Sequence, residues 1–449
     1  MIGDVGGAKI DGKGPVIFYG WIVVAVAFVT LGVTMGIWYS YSVFFLVLIE
    51  EFGWSNAAAS SIFSVFIVSQ ALMGVVAGHL QDRFGPRVVI PLGSVLLTLA
   101  LVLTSQADNI WYFRFSYGLL GGTGVSLMAF SSHSAFIPKW FERKRGLAVG
   151  IAMSGIGFCM LFIIPLTEWA ISHFGWRTTY LFLAGVVLFF IGPLNLLFSR
   201  RQPQDMNLEP DGYNSAIQSK TPAPSMTMVV VDDRWAYKDW ALATAIRTKR
   251  FWFLVISFFF ASYVYQGILL HAVSALVDTG LPRATASYYF GLLGIAGSAG
   301  KIFFGYLSDV IGRERTNTLA GLITALGIAC LLLLPKIQGP LFLPLIFALL
   351  FGLGYGAAAP LFPSVSADIF LGRSFGVIFA AICIGGGFGG SLGSFIDGLL
   401  RDIWGNYSFS FGLCLISLFL SCLFIWLAAP GKVRKMVKTK NLRSGKSVP

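Results

Sequence analysis

Long uncharged apolar runs recur from one end of this 449-residue chain to the other, separated by short polar or Gly/Pro punctuation. Crossing the hydrocarbon of a bilayer takes roughly twenty apolar residues at 1.5 Å each. Runs of that length predict twelve spans, at 18–48, 57–81, 87–106, 111–137, 146–172, 178–198, 251–276, 285–307, 316–335, 340–366, 374–399 and 407–429. The expected fold is therefore an all-α membrane protein of twelve transmembrane helices in two six-helix bundles, 18–199 and 251–429. Around them lie a tail at 1–17, a linker at 200–250 and a basic tail at 430–449. The first apolar run is too long for a signal peptide and is expected to remain as helix one.

Composition removes the aqueous alternative. Hydrophobic residues make up 56% and charged residues 12%, with a mean hydropathy of +0.78, so the apolar side chains exceed what one water-facing core can hide. A soluble chain of this length would show amphipathic stripes and about twice the charge. All five cysteines, Cys159, Cys330, Cys383, Cys414 and Cys422, fall within apolar runs without metal-ligand or paired spacing. Neither a disulfide framework nor a zinc site is indicated, and no cofactor is expected.

Charge gives the spans a direction. Of the 32 Lys and Arg, 26 fall in the tails, the linker and the connections 2/3, 4/5, 8/9 and 10/11. The opposite connections hold only Arg114, Arg177, Arg283, Lys336 and Arg401. Cytoplasmic loops collect cations, so both termini are expected in the cytoplasm, with the chain in the plasma or inner membrane. The net charge of +12 is then a topological signal and not a nucleic-acid footprint. In the linker, DDRWAYKDWALATAIRTKRFW suggests a short interfacial helix with Trp235, Trp240, Ala243 and Ile246 on one face. The part at 203–232 also reads as a disordered connection.

The two halves repeat. GHLQDRFGPR at 78–87 and GYLSDVIGRE at 305–314 occupy the same place in each half, 227 residues apart. With a shift of 230, Gly122, Gly124, Ser134, Arg143, Gly146, Gly157, Phe158 and Gly175 fall on Gly352, Gly354, Ser364, Arg373, Gly376, Gly387, Phe388 and Gly405. Parallel repeats of this kind are a transporter plan, with solute held near the midplane between halves that rock. Gly78, Leu80, Asp82, Arg83, Gly85 and Arg87, with Gly305, Leu307, Asp309 and Gly312 in the second copy, resemble the hallmark loop of the major facilitator superfamily. The resemblance implies that fold and a cytoplasmic latch, in which Asp82 and Arg83 engage the start of span eleven and nearby loop charges. Arg313 stands beside the second copy.

A narrower resemblance rests on YGWIVV at 19–24, VFF and LIEEFGWS across 43–55, WFERKRGLAVGIAMSG at 140–155 and HFGWR at 173–177. These look like the monocarboxylate-porter and oxalate/formate-exchanger branch, which implies small carboxylates moved with a proton or by exchange. The cation of that branch in helix eight falls on Lys301, four residues before Gly305. Three positions depart from it: an aspartate four residues earlier is Gly297 here, a lysine of helix one falls near Tyr39, and span eleven lacks a lysine.

An ionisable residue inside a span costs about 2.5–3.5 kcal/mol for Lys on insertion scales, so each one calls for a reason. Lys301 reads as the anchor for a substrate carboxylate, against the alternative of a structural pair with Asp309. His133 in span four and His271 in span seven are candidates for proton relay or carboxylate binding, with a backbone-satisfied histidine as the ordinary alternative. Tyr39, Tyr41, Tyr265 and Gln266 offer hydrogen bonds along spans one and seven. Glu168 and Asp397 sit in the outer parts of spans five and eleven, where gate pairing or interface solvation is expected, Glu168 being the better proton-carrier candidate. Gly291, Gly294, Gly297 and Gly300 at every third position, and Gly385, Gly389 and Gly393 at every fourth, predict close helix contacts. GSAGKI lacks the first glycine and the final Ser/Thr of a phosphate loop.

The reading is a secondary carrier of a small organic anion and a proton, embedded in lipid, with no nucleic-acid partner; a monomer is expected, with a partner subunit left open. An exporter of drugs or sugars on the same fold, or a solute sensor without flux, remain as alternatives. A membrane enzyme is not expected, since no HExxH or paired-Cys array is present.

Overall fold

A computed structural model of the chain describes residues 18–129, 132–133, 136–141, 145–206, 208–209, 226–336, 342–372 and 374–438. Ten of its helices are long and apolar enough to cross a membrane. Two local features account for the difference from twelve. The run Leu147–Phe198 is counted as one but contains Gly175 at φ 77°, ψ 162°, which no α-helix includes. The fourth span is divided into Ile110–Phe113, a π-helical Arg114–Gly121 and Gly122–Met128, so that no single piece is long enough.

The twelve are therefore α1 (Tyr19–Phe52), α2 (Asn56–Phe84), α3 (Pro86–Ser105), α4 (110–128), α5 (145–174) and α6 (176–198) in the first half. The second half holds α7 (Lys249–Val277), α8 (Arg283–Ile311), α9 (Arg313–Leu333), α10 (Phe342–Phe370), α11 (Phe375–Trp404) and α12 (Ser408–Ala428). Polar side chains start several of them. Ser55 accepts from the Ala58 N–H, Asn109 from Tyr112 and Thr248 from Phe251, each satisfying a free donor of a first turn.

The internal repeat has a backbone cause. Gly85 joins α2 to α3 at φ 75°, and Gly312 joins α8 to α9 at φ 94°. Gly175 and Gly405, also repeat partners, stand at φ 77° and 70°. A side chain at positive φ strains the backbone, so each half needs glycine where its chain turns. Packing repeats as well: α1 lies along α5 as α7 lies along α11, and the halves meet through α2 with α11 and α5 with α8.

The face where α1 begins and α12 ends, the terminal face, carries an element outside the all-α expectation. Met226–Val230 (β1) pairs antiparallel with Arg434–Lys438 (β2), joining linker to tail. The linker after β1 corrects the expected interfacial helix. It forms two single turns, Asp233–Ala236 and Leu242–Ala245, with Trp235 and Trp240 packed on Phe370 at the end of α10. Ala243 and Ile246 are exposed instead of sharing that face. Arg434 fastens the assembly, donating to the Asp368 carbonyl at 2.8 Å and to the Ala236 carbonyl.

Candidate functional site

The halves touch from the face opposite the termini, the far face, to about mid-depth. Glu50 at the end of α1 pairs with Arg283 at the start of α8. Asp402 of α11 accepts from the Asn56 and Ala57 N–H groups at the start of α2, both at 2.8 Å, and from Asn56 Nδ2. A carboxylate on another half's helix N-terminus meets both free donors and the positive end of the dipole. Deeper, Ser64 Oγ donates to the Ser391 carbonyl at 2.8 Å and Ser298 Oγ to the Ser154 carbonyl at 3.3 Å. A Cβ on Gly387 would meet Ala71, whereas Gly78 and Gly150 on the first half and Gly376 on the second have nothing within 4 Å of that position. The halves thus part towards the terminal face.

Asp402→Ala is expected to weaken far-face closure by about 1 kcal/mol, the ordinary value of a lost cap, or roughly fivefold in the equilibrium between closed and open. Reactivity of a cysteine placed at Ser64 towards an impermeant thiol reagent added at the far face should rise accordingly; unchanged reactivity would show the cap to be incidental.

At mid-depth three helices bring hydroxyls together. Tyr39 Oη on α1 and Tyr355 Oη on α10 lie 2.7 Å apart, a hydrogen bond between the halves. Tyr265 of α7 packs edge-on against Tyr355, with centroids 5.1 Å apart. Lys301 of α8 adjoins this group: a Cβ on Gly297, one turn earlier, would lie 3.7 Å from the Tyr355 ring, and one on Gly356 would lie 2.9 Å from the Lys301 N. The lipid-facing side of α8 is marked by Ile295, Ile302 and Tyr306, all exposed. On a 3.6-residue helix Lys301 projects well away from these, between the stripe on α5 (Gly294, Ser298) and the stripe on α10 (Gly297, Gly300). The glycines at every third position wind around α8 and serve both neighbours.

Lys301 is half-buried and makes no hydrogen bond or ion pair among the described residues. The alternative partner, Asp309, is taken: it binds Arg313 Nη1 at 2.6 Å, while Arg313 Nε donates to Asp368 at 3.0 Å. Asp309 and Arg313 of that triad belong to the second copy of the hallmark loop. In the first copy Arg87 donates to the Leu196 carbonyl at 2.9 Å and Arg83 lies over the Phe84 ring. The side chain of Asp82 lies outside what the structure describes.

The other candidates separate from this centre. Tyr41 is wholly buried in the first half, its hydroxyl donating to the Ala59 carbonyl at 2.9 Å and its ring stacked on Phe63 and Tyr117. His271 sits nearer the far face, where Nε2 donates to the Ser394 carbonyl at 3.0 Å and lies 3.3 Å from Ser60 Oγ of the first half. Its Nδ1 faces the Tyr407 hydroxyl at 3.2 Å. Gln266 packs against Gly390 and leaves Oε1 without a partner. Glu168 is buried on α5 with Oε2 unpartnered, within electrostatic reach of Arg283 and Glu50. His133 is buried, with Nδ1 3.1 Å from the Ala129 carbonyl. Tyr355 was not singled out by sequence reasoning. Its only signal there is a lone hydroxyl in the glycine-rich run LFGLGYGAAAP.

Two bundles of six helices related by a repeat, with a cation and hydroxyls where they meet, define a polytopic membrane transporter. The Major Facilitator Superfamily profile matches residues 26–390, and the chain belongs to that family. It is similar to monocarboxylate transporter 13 of Bos taurus, 28% identical over 399 residues that cover 88% of this chain and 85% of the relative. It is likewise similar to monocarboxylate transporter 12 of Homo sapiens, 27% identical over 449 residues covering 94% and 82%. Among solved structures, a bacterial homologue of the human lysosomal transporter Spinster, inward-facing and occupied, superposes with a TM-score of 0.68 at 15% identity, covering 93% of this chain and 98% of that one. A D-xylose–proton symporter gives 0.68 at 16%, covering 91% and 97%. At such identities the structures share the fold alone.

Proposed function

We propose that this chain carries a small monocarboxylate anion, of the lactate, pyruvate or formate type, with a proton or in exchange, by alternating access. The observation that carries the reading is Lys301, a mid-depth cation without a carboxylate partner among the described residues, beside the Tyr39–Tyr355 pair where the two halves meet. A charge in that position is costly until an anion compensates it. The names of the relatives supply the same substrate class.

In this reading Lys301 holds the carboxylate, and Tyr39, Tyr265, Tyr355 and Gln266 offer further hydrogen bonds. Tyr41 supports the wall behind Tyr39, while His271 and Glu168 belong to the far-face gate. His133 keeps to its own helix, with Nδ1 3.1 Å from the Ala129 carbonyl. The terminal face is the cytoplasmic side of the plasma membrane in this reading, an orientation that the cation count supports, and the conformation is then open inwards. The loops Gly78–Arg87 and Gly305–Arg313 latch that side when the halves rock back. In proteoliposomes, labelled lactate, pyruvate or formate should accumulate when a pH gradient, acid outside, is imposed. Labelled sugars should not, and accumulation of a sugar in place of every carboxylate would reverse the assignment.

A further inference from the structure

Asp397 lies two turns from the far end of α11, yet it faces neither the gate nor solvent, contrary to its expected place. It has no exposed surface. From α7, Tyr263 Oη donates to Oδ1 at 3.4 Å, and a Cβ on Gly267 would strike Oδ2, so only glycine there leaves room for the carboxyl. From α12, Cys414 Sγ donates to Oδ2 at 3.5 Å, and the Ser410 side chain faces the same group. The first bond is long and the second comes from a weak donor.

No cation reaches it among the described residues. Arg401, one turn further on, is held by Asp278 at 2.9 Å. The titratable neighbours are Tyr263 and Cys414 in contact, Tyr407 just before α12 within electrostatic reach, and His271 of α7, which binds the Ser394 carbonyl one turn back on α11. None of these is a fixed positive charge. An ionised carboxylate in such a place is uncompensated, and a bound proton removes the cost.

We propose that Asp397 is the proton-binding site of the carrier. The proposal rests on the anion-carrier reading and supplies the proton's place in it. In this conformation α11 is sealed against α2: His271 bridges Ser394 to Ser60, and a Cβ on Gly398 would meet the Asn56 carbonyl at 2.8 Å. When the far face opens, Ser60 and Asn56 withdraw, water reaches the flank of α11 beside Asp397, and the hydrated carboxylate exchanges its proton with that side, taking one up when that side is acid. One anion on Lys301 and one proton on Asp397 then cross together, and no net charge moves with them.

The test has two arms. Infrared spectra of the purified carrier at neutral pH should contain a protonated-carboxyl C=O band that Asp397→Asn removes. In proteoliposomes, Asp397→Asn should lose pH-driven accumulation of labelled lactate, while lactate-for-lactate exchange, which requires no proton release, falls much less. Should Asp397→Asn fail to fold, Cys414→Ala takes its place, since losing one donor must shift the same band. A missing band at neutral pH, or accumulation by Asp397→Asn equal to that of the unaltered protein, would overturn the proposal. If no carboxylate moves in the unaltered protein while the band is present, the substrate reading fails and the protonated Asp397 stands.

Discussion

Lys301→Ala is expected to abolish carboxylate accumulation in proteoliposomes, and Lys301→Arg to retain it. A hydrogen bond to a charged group contributes about 1.5–3 kcal/mol, so losing the ammonium should weaken binding roughly 10- to 100-fold. Arginine keeps the charge and offers the carboxylate two parallel donors. The stability of the empty protein should move the other way. Lys301 satisfies no partner among the described residues, so its removal relieves an uncompensated charge and should leave the apparent melting temperature unchanged or raised. Adding lactate should then raise the melting temperature of the unaltered chain, since a ligand of the folded state stabilises it, and fail to do so for Lys301→Ala. A lysine serving only to hold α8 in place would give the opposite pattern, with stability lost and the ligand shift intact.

The depth of each group was legible in the sequence, and its direction was not. Twelve spans follow from the length that lipid imposes, and the glycine pairs Gly85/Gly312 and Gly175/Gly405 mark turns whose backbone angles admit little else. Lys301 stood out because a cation in an apolar run is conspicuous without knowledge of its neighbours. Tyr39 and Tyr41 show the limit. They are two residues apart on α1, yet Tyr39 reaches across to Tyr355 while Tyr41 turns into its own bundle to meet Ala59. Which side of a helix faces the partner half depends on helix packing, and in a helix buried nearly all round the hydrophobic pattern carries no stripe to read it from. The same limit misplaced Asp397, whose position along α11 implied a gate while its direction puts it between α7 and α12. Asp309 was offered as a partner for Lys301 because two turns separate them on one helix, but Arg313, four residues on, is the nearer neighbour.

Gly157→Val should hold the carrier open at the far face. In the closed arrangement α5 and α8 meet backbone to backbone: a Cβ on Gly157 would strike the Gly294 carbonyl, one on Gly294 would lie 2.7 Å from Met160 Cβ, and one on Gly291 3.0 Å from Leu161 Cα. A carbonyl fixed in a helix cannot swing aside as a flexible side chain does, so the added methyls must push the helices apart. Overpacking of this kind costs about 1–3 kcal/mol, enough to shift a two-state equilibrium by roughly 5- to 150-fold. Because the contact lies between the halves and not inside either one, each bundle should fold and insert as before. Spin labels at positions 108 and 406, exposed on far-face loops of the two halves, should report a longer separation in Gly157→Val, and lactate flux should fall with the lost closed population. Gly150→Ala, on the same helix with nothing within 4 Å, serves as the control and should change neither. An unchanged label distance in Gly157→Val would mean that the α5–α8 contact does not govern closure, and the rocking of the halves would have to pivot on α2 and α11 alone.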